Sequence, residues 1–153
     1  VAASLEWPND VLVEGGKKVA GILTEMSTRG MRADCVVVGI GLNVNTAAFP
    51  PELPQATSLR RARGGEPFDR ADVVARLFAA LEERFDRFVA EPTRLLADAW
   101  RARSHIFGQR VRVSAEGGVL EGIARDLDDD GALVLETDAG GRVRVIAGEV
   151  VPA

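Results

Sequence analysis

The stretch from Leu5 to Leu23 reads LEWPNDVLVEGGKKVAGIL, and its reading decides how the chain begins to fold. Val11 to Val13 and Val19 to Met26 have the composition of two β arms, with Glu14-Gly15-Gly16-Lys17 as the turn between them. Trp-Pro-Asn-Asp breaks the chain abruptly before the first arm. The second arm holds two residues that a buried strand should avoid, Lys18 at its mouth and Gly21 inside it. A strand glycine weakens a sheet unless it marks a bulge or lets something approach the backbone closely. A lysine at a strand entrance either snorkels to water along an apolar surface or holds an anion as a compact point charge. Neither residue decides alone.

Downstream, STRGMRAD supplies a polar connection to CVVVGIGLNVN, residues 35–45. This run is apolar on both faces at first, as expected for a strand in the middle of a covered sheet, with Cys35 as a small buried hydrophobe. Pro50, Pro51 and Pro54 end it and open a loop toward Ser58. If the two glycine-bearing strands are neighbours, Gly21, Gly39 and Gly41 leave a shallow floor on the sheet. Bulges alone also explain them. Beside such a floor, however, Lys18 gains a use, because its ammonium can hold a phosphate or carboxylate. Asn9 offers an amide that can read a base edge, and Asp10 a carboxylate that can take a proton or bind a metal. Asn43 and Asn45 add further amides. The set suits a flat polar ligand with an attached phosphate.

Asp69 is placed to cap a helix over RADVVARLFAALEERFDRFVAE, where Val73, Val74, Leu77, Phe78, Leu81, Phe85, Phe88 and Val89 recur at helical spacing. The stripe is expected to pack into a core. Pro92 interrupts it, and TRLLADAWRARS gives a shorter helix with Leu95, Leu96 and Trp100. After Gly108 the texture changes. Val111/Val113, Val119/Ile123, Leu133/Leu135 and Val143/Val145 alternate with polar residues between Gly-Gly and Asp-Gly turns, the period of strands with one buried face. These strands suit a small closed or nearly closed barrel, with a domain boundary near Ser104. Asp128-Asp129-Asp130-Gly131 reads as a turn rather than a metal site.

The 153 residues are 46% hydrophobic and 27% charged, enough for one moderate domain with or without a small module. A net charge of −4 argues against a broad electrostatic attraction to nucleic acid. One cysteine excludes an internal disulfide and fits a reducing cytoplasm. His105 has no histidine partner for a metal pair. No apolar run is long enough to span a bilayer, and no signal peptide is present. The first residue is Val1 rather than Met, which suggests a truncated or processed chain.

WPND, KKVAGIL and GIGLNVN, in this order and at these intervals, resemble the catalytic core of biotin protein ligases. The terminal GQRVRV and GVLEGIARDLDDDGALVLE are similar to that family's C-terminal small barrel. The resemblance implies an α+β fold, a mixed β-sheet with helices packed on it, followed by a Src-homology-3-like barrel. Residues 1–104 would be the C-terminal part of a biotin/lipoate ligase-type catalytic domain, and residues 105–153 the barrel. It implies that biotin and MgATP form biotinyl-5′-adenylate, which a lysine of the biotin carboxyl carrier protein of an acyl-CoA carboxylase then attacks. Neither nucleic acid nor membrane is implied as a partner of this part.

By the same resemblance, Lys18 is the cation between the biotin carboxylate and the α-phosphate. Gly21, Ile22, Gly39 and Gly41 line the biotin and adenylate channel, and Asn9 and Asn43 lie near the adenine. Asp10 organises Lys18, binds magnesium or helps deprotonate the incoming lysine. Two departures stand out. The family's lysine before Trp-Pro-Asn-Asp is Glu6 here, and its Gly-Arg-Gly-Arg loop, which covers the adenylate and lies upstream, has no counterpart in this sequence. The chain therefore looks like the C-terminal half of the enzyme. A non-catalytic module that binds the carrier protein or a ligand is the alternative. A lipoate or octanoyl transferase relative is a further one, against which the barrel and the intact WPND argue.

Overall fold

A computed structural model describes residues 1–90, 94–115 and 117–153, which form two compact units. The first unit comprises Val1–Ala3 and Asn9–Asp69, the second Ser4–Pro8 and Arg70–Ala153. The strands are β1 (Ala3–Glu6), β2 (Asp10–Val13), β3 (Lys17–Arg29), β4 (Arg32–Leu42), β5 (Arg110–Ala115), β6 (Gly118–Leu127), β7 (Leu133–Glu136), β8 (Arg142–Val145) and β9 (Glu149–Pro152). The helices are α1 (Leu59–Ala62), α2 (Arg70–Ala90) and α3 (Arg94–Arg101). The break expected at Pro92 lies outside the described residues, as does the side chain of Leu95.

In the first unit β2, β3 and β4 form an antiparallel meander. Gly15 and Gly16, at φ 75° and 71°, turn β2 into β3 through the left-handed region that favours glycine. Val13, Val19 and Ala20 are buried and pack with Val11, Leu42, Leu59 and Ala62 into a small core at the start of β3. Beyond that core the meander becomes a long hairpin exposed on both faces. Leu23, Met26, Val36, Val37 and Val38 are all more than half exposed.

This corrects the reading of residues 35–45 as a covered central strand. β4 is an outer strand, and the described residues cover neither of its faces over Cys35 to Val38, so Cys35 is exposed. The apolar stripe of α2 needs the same correction. Val73 and Leu77 are half-buried, but Val74, Phe78, Leu81, Phe85, Phe88 and Val89 are exposed. An amphipathic helix buries its stripe only against a facing surface, and the described residues supply none here.

The second unit closes its own core. Five antiparallel strands run in the order β8-β7-β6-β5-β9. Val111 and Val113 point inward while Arg110, Arg112 and Ser114 stay exposed, and Leu133, Leu135, Val113 and Ala124 have no exposed surface. Strands pack tightly at Gly122, where a Cβ would stand 2.4 Å from the Glu136 carbonyl oxygen. Trp7 joins this core at 4% exposure, and its indole N–H donates to the Gly131 carbonyl at 3.1 Å. Trp100 and Phe107 pack on the cluster edge to face, ring centres 5.9 Å apart. The acidic run is a turn. Asp128 Oδ1 accepts from the Asp130 and Ala132 N–H groups, and Arg144 pairs with both Asp128 and Asp130.

Candidate active site

The lysine and the glycine of the opening stretch are explained by one irregularity. Val11 pairs with Ala20 but Leu12 pairs with Lys18, so Val19 is an extra residue in β3. In an unbroken strand, residues three apart face opposite ways. A bulge re-aims a side chain, and this one brings Lys18 over the face of Gly21. A Cβ at Gly21 would meet Lys18 Cε at 3.3 Å, Asp10 Oδ1 at 3.4 Å and Lys18 Nζ at 3.5 Å. Glycine leaves the lysine stem its path.

Asp10 lies directly across from Gly21, and Gly21 directly across from Gly41. A row of Asp10, Gly21 and Gly41 therefore crosses three strands on one face, and Gly39 extends the floor opposite Leu23. Gly39 and Gly41 are not forced by their surroundings. Added Cβ atoms would find only the Leu23 and Gly21 carbonyl oxygens, at 3.6 and 3.7 Å. Space above them is thus open to a ligand. At one end of the floor Lys18 Nζ stands 2.6 Å from Asp10 Oδ1, an oxygen shielded from solvent. The Lys18 side chain itself is 47% exposed.

The other expected residues divide. Ile22 pairs with Ile40 and, by strand alternation, points to the face opposite the glycines. The structure does not bring its side chain to the floor. Its backbone matters instead, because Asn9 Nδ2 donates to the Ile22 carbonyl at 2.8 Å and Ile22 N–H donates to the Asn9 carbonyl at 2.9 Å. Asn45 uses its amide on both backbone groups of Phe68, at 2.8 and 2.9 Å, which is a structural staple. Asn43, half-buried at the end of β4, has no side-chain partner among the described residues.

Magnesium finds little here. Among the described residues no group of three or more histidine, cysteine or acidic side chains could hold a metal ion, and Asp10 turns one oxygen onto Lys18. A cavity of about 330 Å³ in the second unit is lined by Glu6, His105, Gln109 and Arg110 over Val111 and Val150. Its rim carries both signs of charge, and apart from Glu6 its lining comes from residues 105–152.

The sequence reading missed the segment 55–58. The Lys18 N–H donates to the Gln55 carbonyl and Thr57 N–H donates to the Lys18 carbonyl, each at 2.8 Å. The signal was faint, a serine before Leu-Arg-Arg that reads as an N-cap.

Both ends of the chain match family models. Residues 1–43 match the biotin/lipoate A/B protein ligase family, and residues 106–151 the biotin protein ligase C-terminal domain. A biotin–[acetyl-CoA-carboxylase] ligase of Mycobacterium tuberculosis is 47% identical over 150 residues, which cover 96% of this chain and 52% of that protein. The bifunctional ligase/repressor BirA of Bacillus subtilis is 38% identical over 146 residues, 92% of this chain and 43% of that protein. Among solved structures, the apo biotin protein ligase of Aquifex aeolicus superposes with a TM-score of 0.86 at 27% identity, covering 100% of this chain and 66% of that one. Its complex with biotin and ATP superposes at 0.82 and 29% identity, covering 99% and 62%. The chain spans about half the length of the curated relatives it matches. Its fold class is theirs, α+β with a Src-homology-3-like barrel. No described helix is long and apolar enough to cross a membrane.

Proposed function

The chain belongs to the biotin protein ligase family, and from that premise we propose that it is the C-terminal half of the catalytic domain with its small barrel, working within a longer ligase that activates biotin with ATP and transfers it to a carrier protein. The barrel module would start near residue 105, where the second family match begins, although α2 and α3 fold with it in one compact unit. The cytoplasm, where ATP and carboxylases meet, is the compartment we assign.

The observation that carries this reading is the Asp10–Lys18 pair at the end of an open glycine floor. In the first step a biotin carboxylate oxygen attacks the α-phosphorus of ATP, and the bond to the pyrophosphate oxygen breaks. Negative charge builds between two anions that repel each other. A fixed cation beside them stabilises that charge most in the transition state. Lys18 would supply it, with Asp10 holding the ammonium in place as a positioning residue. In the second step the neutral amine of a carrier lysine attacks the anhydride carbonyl, AMP leaves and the amine loses its proton. Asn43, whose amide is unspent, would read the adenine edge, and the free groups of Asn9 would assist. Magnesium would arrive with the nucleotide phosphates, and no step is assigned to it.

The test is streptavidin blotting of a biotin carboxyl carrier domain of an acyl-CoA carboxylase, incubated with biotin, ATP and magnesium. The full-length ligase should label it. The 153-residue chain alone should not, because the adenylate-covering loop of the family is not among its residues. Robust labelling by this chain alone would show that the essential groups lie elsewhere.

A further inference from the structure

We propose that Ser58 is a positioning residue for Lys18, acting through a strap of residues 55–60; the proposal rests on the ligase reading of Lys18. Lys18 keeps its pairing with Leu12, but β4 stops pairing with β3 at Ala20, so the main-chain groups of Lys18 on that side need other partners. At Lys18 both main-chain groups are taken by the strap, at Gln55 and Thr57, and Lys18 bridges Ala56 in parallel. The strap is fixed in turn at the far end of β4. Leu59 N–H donates to the Asn43 carbonyl and Arg60 N–H to the Val44 carbonyl, each at 2.9 Å. Asn43 N–H closes the circuit on the Val19 carbonyl at 2.9 Å.

Ser58 is the hub of this circuit. It is fully buried, one residue from Thr57, and its hydroxyl donates to the Thr46 carbonyl at 2.7 Å. The same oxygen accepts from Arg61 N–H at 3.2 Å as the N-cap of α1. Helix α1 has four residues, too short to hold itself, so its cap and its bonds to β4 define where it begins. Removing the hydroxyl frees the strap at the point where it turns toward Lys18. The Lys18 main chain then loses its fixed partners, and the 2.6 Å approach to Asp10 loosens.

A double-mutant cycle in the full-length ligase separates positioning from folding, read as biotin-dependent pyrophosphate release at saturating ATP. Ser58→Ala should slow adenylate formation about tenfold or more and leave the KM for biotin nearly unchanged. In a Lys18→Ala background the same substitution should change the residual rate by less than about twofold, because pairs that act as a unit are not additive. An equal loss in both backgrounds overturns the proposal while leaving the ligase reading intact. A normal rate for Lys18→Ala overturns the ligase role of Lys18 and the role of Ser58 with it. Ser58→Gly keeps most of the cap's backbone preference and serves if Ser58→Ala does not fold. Collapse of both variants also overturns the proposal, since support of the fold alone then accounts for the residue.

Discussion

The barrel and the β3–β4 hairpin use aliphatic residues of the same kinds to opposite ends. Leu133, Leu135 and Val113 are fully buried in the barrel, whereas Leu23, Val36, Val37 and Val38 of the hairpin stand more than half exposed. The barrel strands bury one face on a core that Trp7 and Trp100 complete. A hairpin with two apolar faces needs covers on both, and an exposed apolar edge strand invites pairing with other chains. Nearer the root of the hairpin Val11, Ile22 and Ile40 are half-buried, and Val11 packs against the small core. The barrel unit fills its own core, whereas the β3–β4 hairpin depends on cover that the described residues do not supply.

The two tryptophans of the sequence, Trp7 and Trp100, both lie in the barrel unit, so their fluorescence follows that unit alone. Leu133→Ala should lower barrel stability by about 2–5 kcal/mol, seen as an early fluorescence transition in urea. An unchanged midpoint would mean that the barrel core is not closed. Next in size, Gly21→Val should weaken biotin binding by the full-length ligase at least tenfold, about 1.4 kcal/mol, while its melting temperature stays near normal. The new side chain would meet Lys18 and Asp10 first. Calorimetry showing undiminished affinity would reduce Gly21 to the mark of a bulge.

Smaller still, Val36→Thr in the 153-residue chain should alter its stability by no more than about 0.5 kcal/mol, since the position is exposed. In the full-length ligase the same change should cost more, because a hydroxyl would replace a methyl under a cover. Equal effects in the two proteins would deny that the hairpin is covered there.

Last comes acid. Hydrogen bonds from Arg144, Arg125 and Arg110 hold the carboxyls of Asp128, Glu136 and Asp138 below their usual values. A carboxyl depressed on folding adds stability that is present above its unfolded pKa, about 4, and lost as pH falls through the folded one. The barrel's urea midpoint should therefore be flat near neutrality and decline below about pH 4. Asp138→Asn should shrink that decline slightly, as befits an exposed pair. An undiminished acid decline in that variant would show that the Arg110 pair carries none of it.

Much of this was legible in the residues. Alternation wrote the barrel, because a one-sided strand prints its burial at every second position. The oddity of Lys18 and Gly21 marked the site, because a strand tolerates neither without cause. Gly21 allowed a bulge, but its place at Val19 could not be read, since it arises from how two strands pair. The strap left only the faint N-cap signal of Ser58, because its bonds to Lys18 are main-chain and independent of residue type. Trp7 could not be assigned to the barrel core, 124 residues from its partner Gly131, by any local pattern. Burial failed for Cys35 and for the α2 stripe because hydrophobicity states a demand for cover and not its supply.

The central claim is that the Lys18 ammonium, set by the bulge over the glycine floor, stabilises adenylate formation. Pyrophosphate release by the full-length ligase, measured with biotin and ATP for the natural residue and for Lys18→Ala, tests it most directly. The account predicts a loss of at least about a hundredfold, roughly 3 kcal/mol of transition-state stabilisation, with the KM for biotin little changed. A Lys18→Ala enzyme that releases pyrophosphate at a near-normal rate would contradict it.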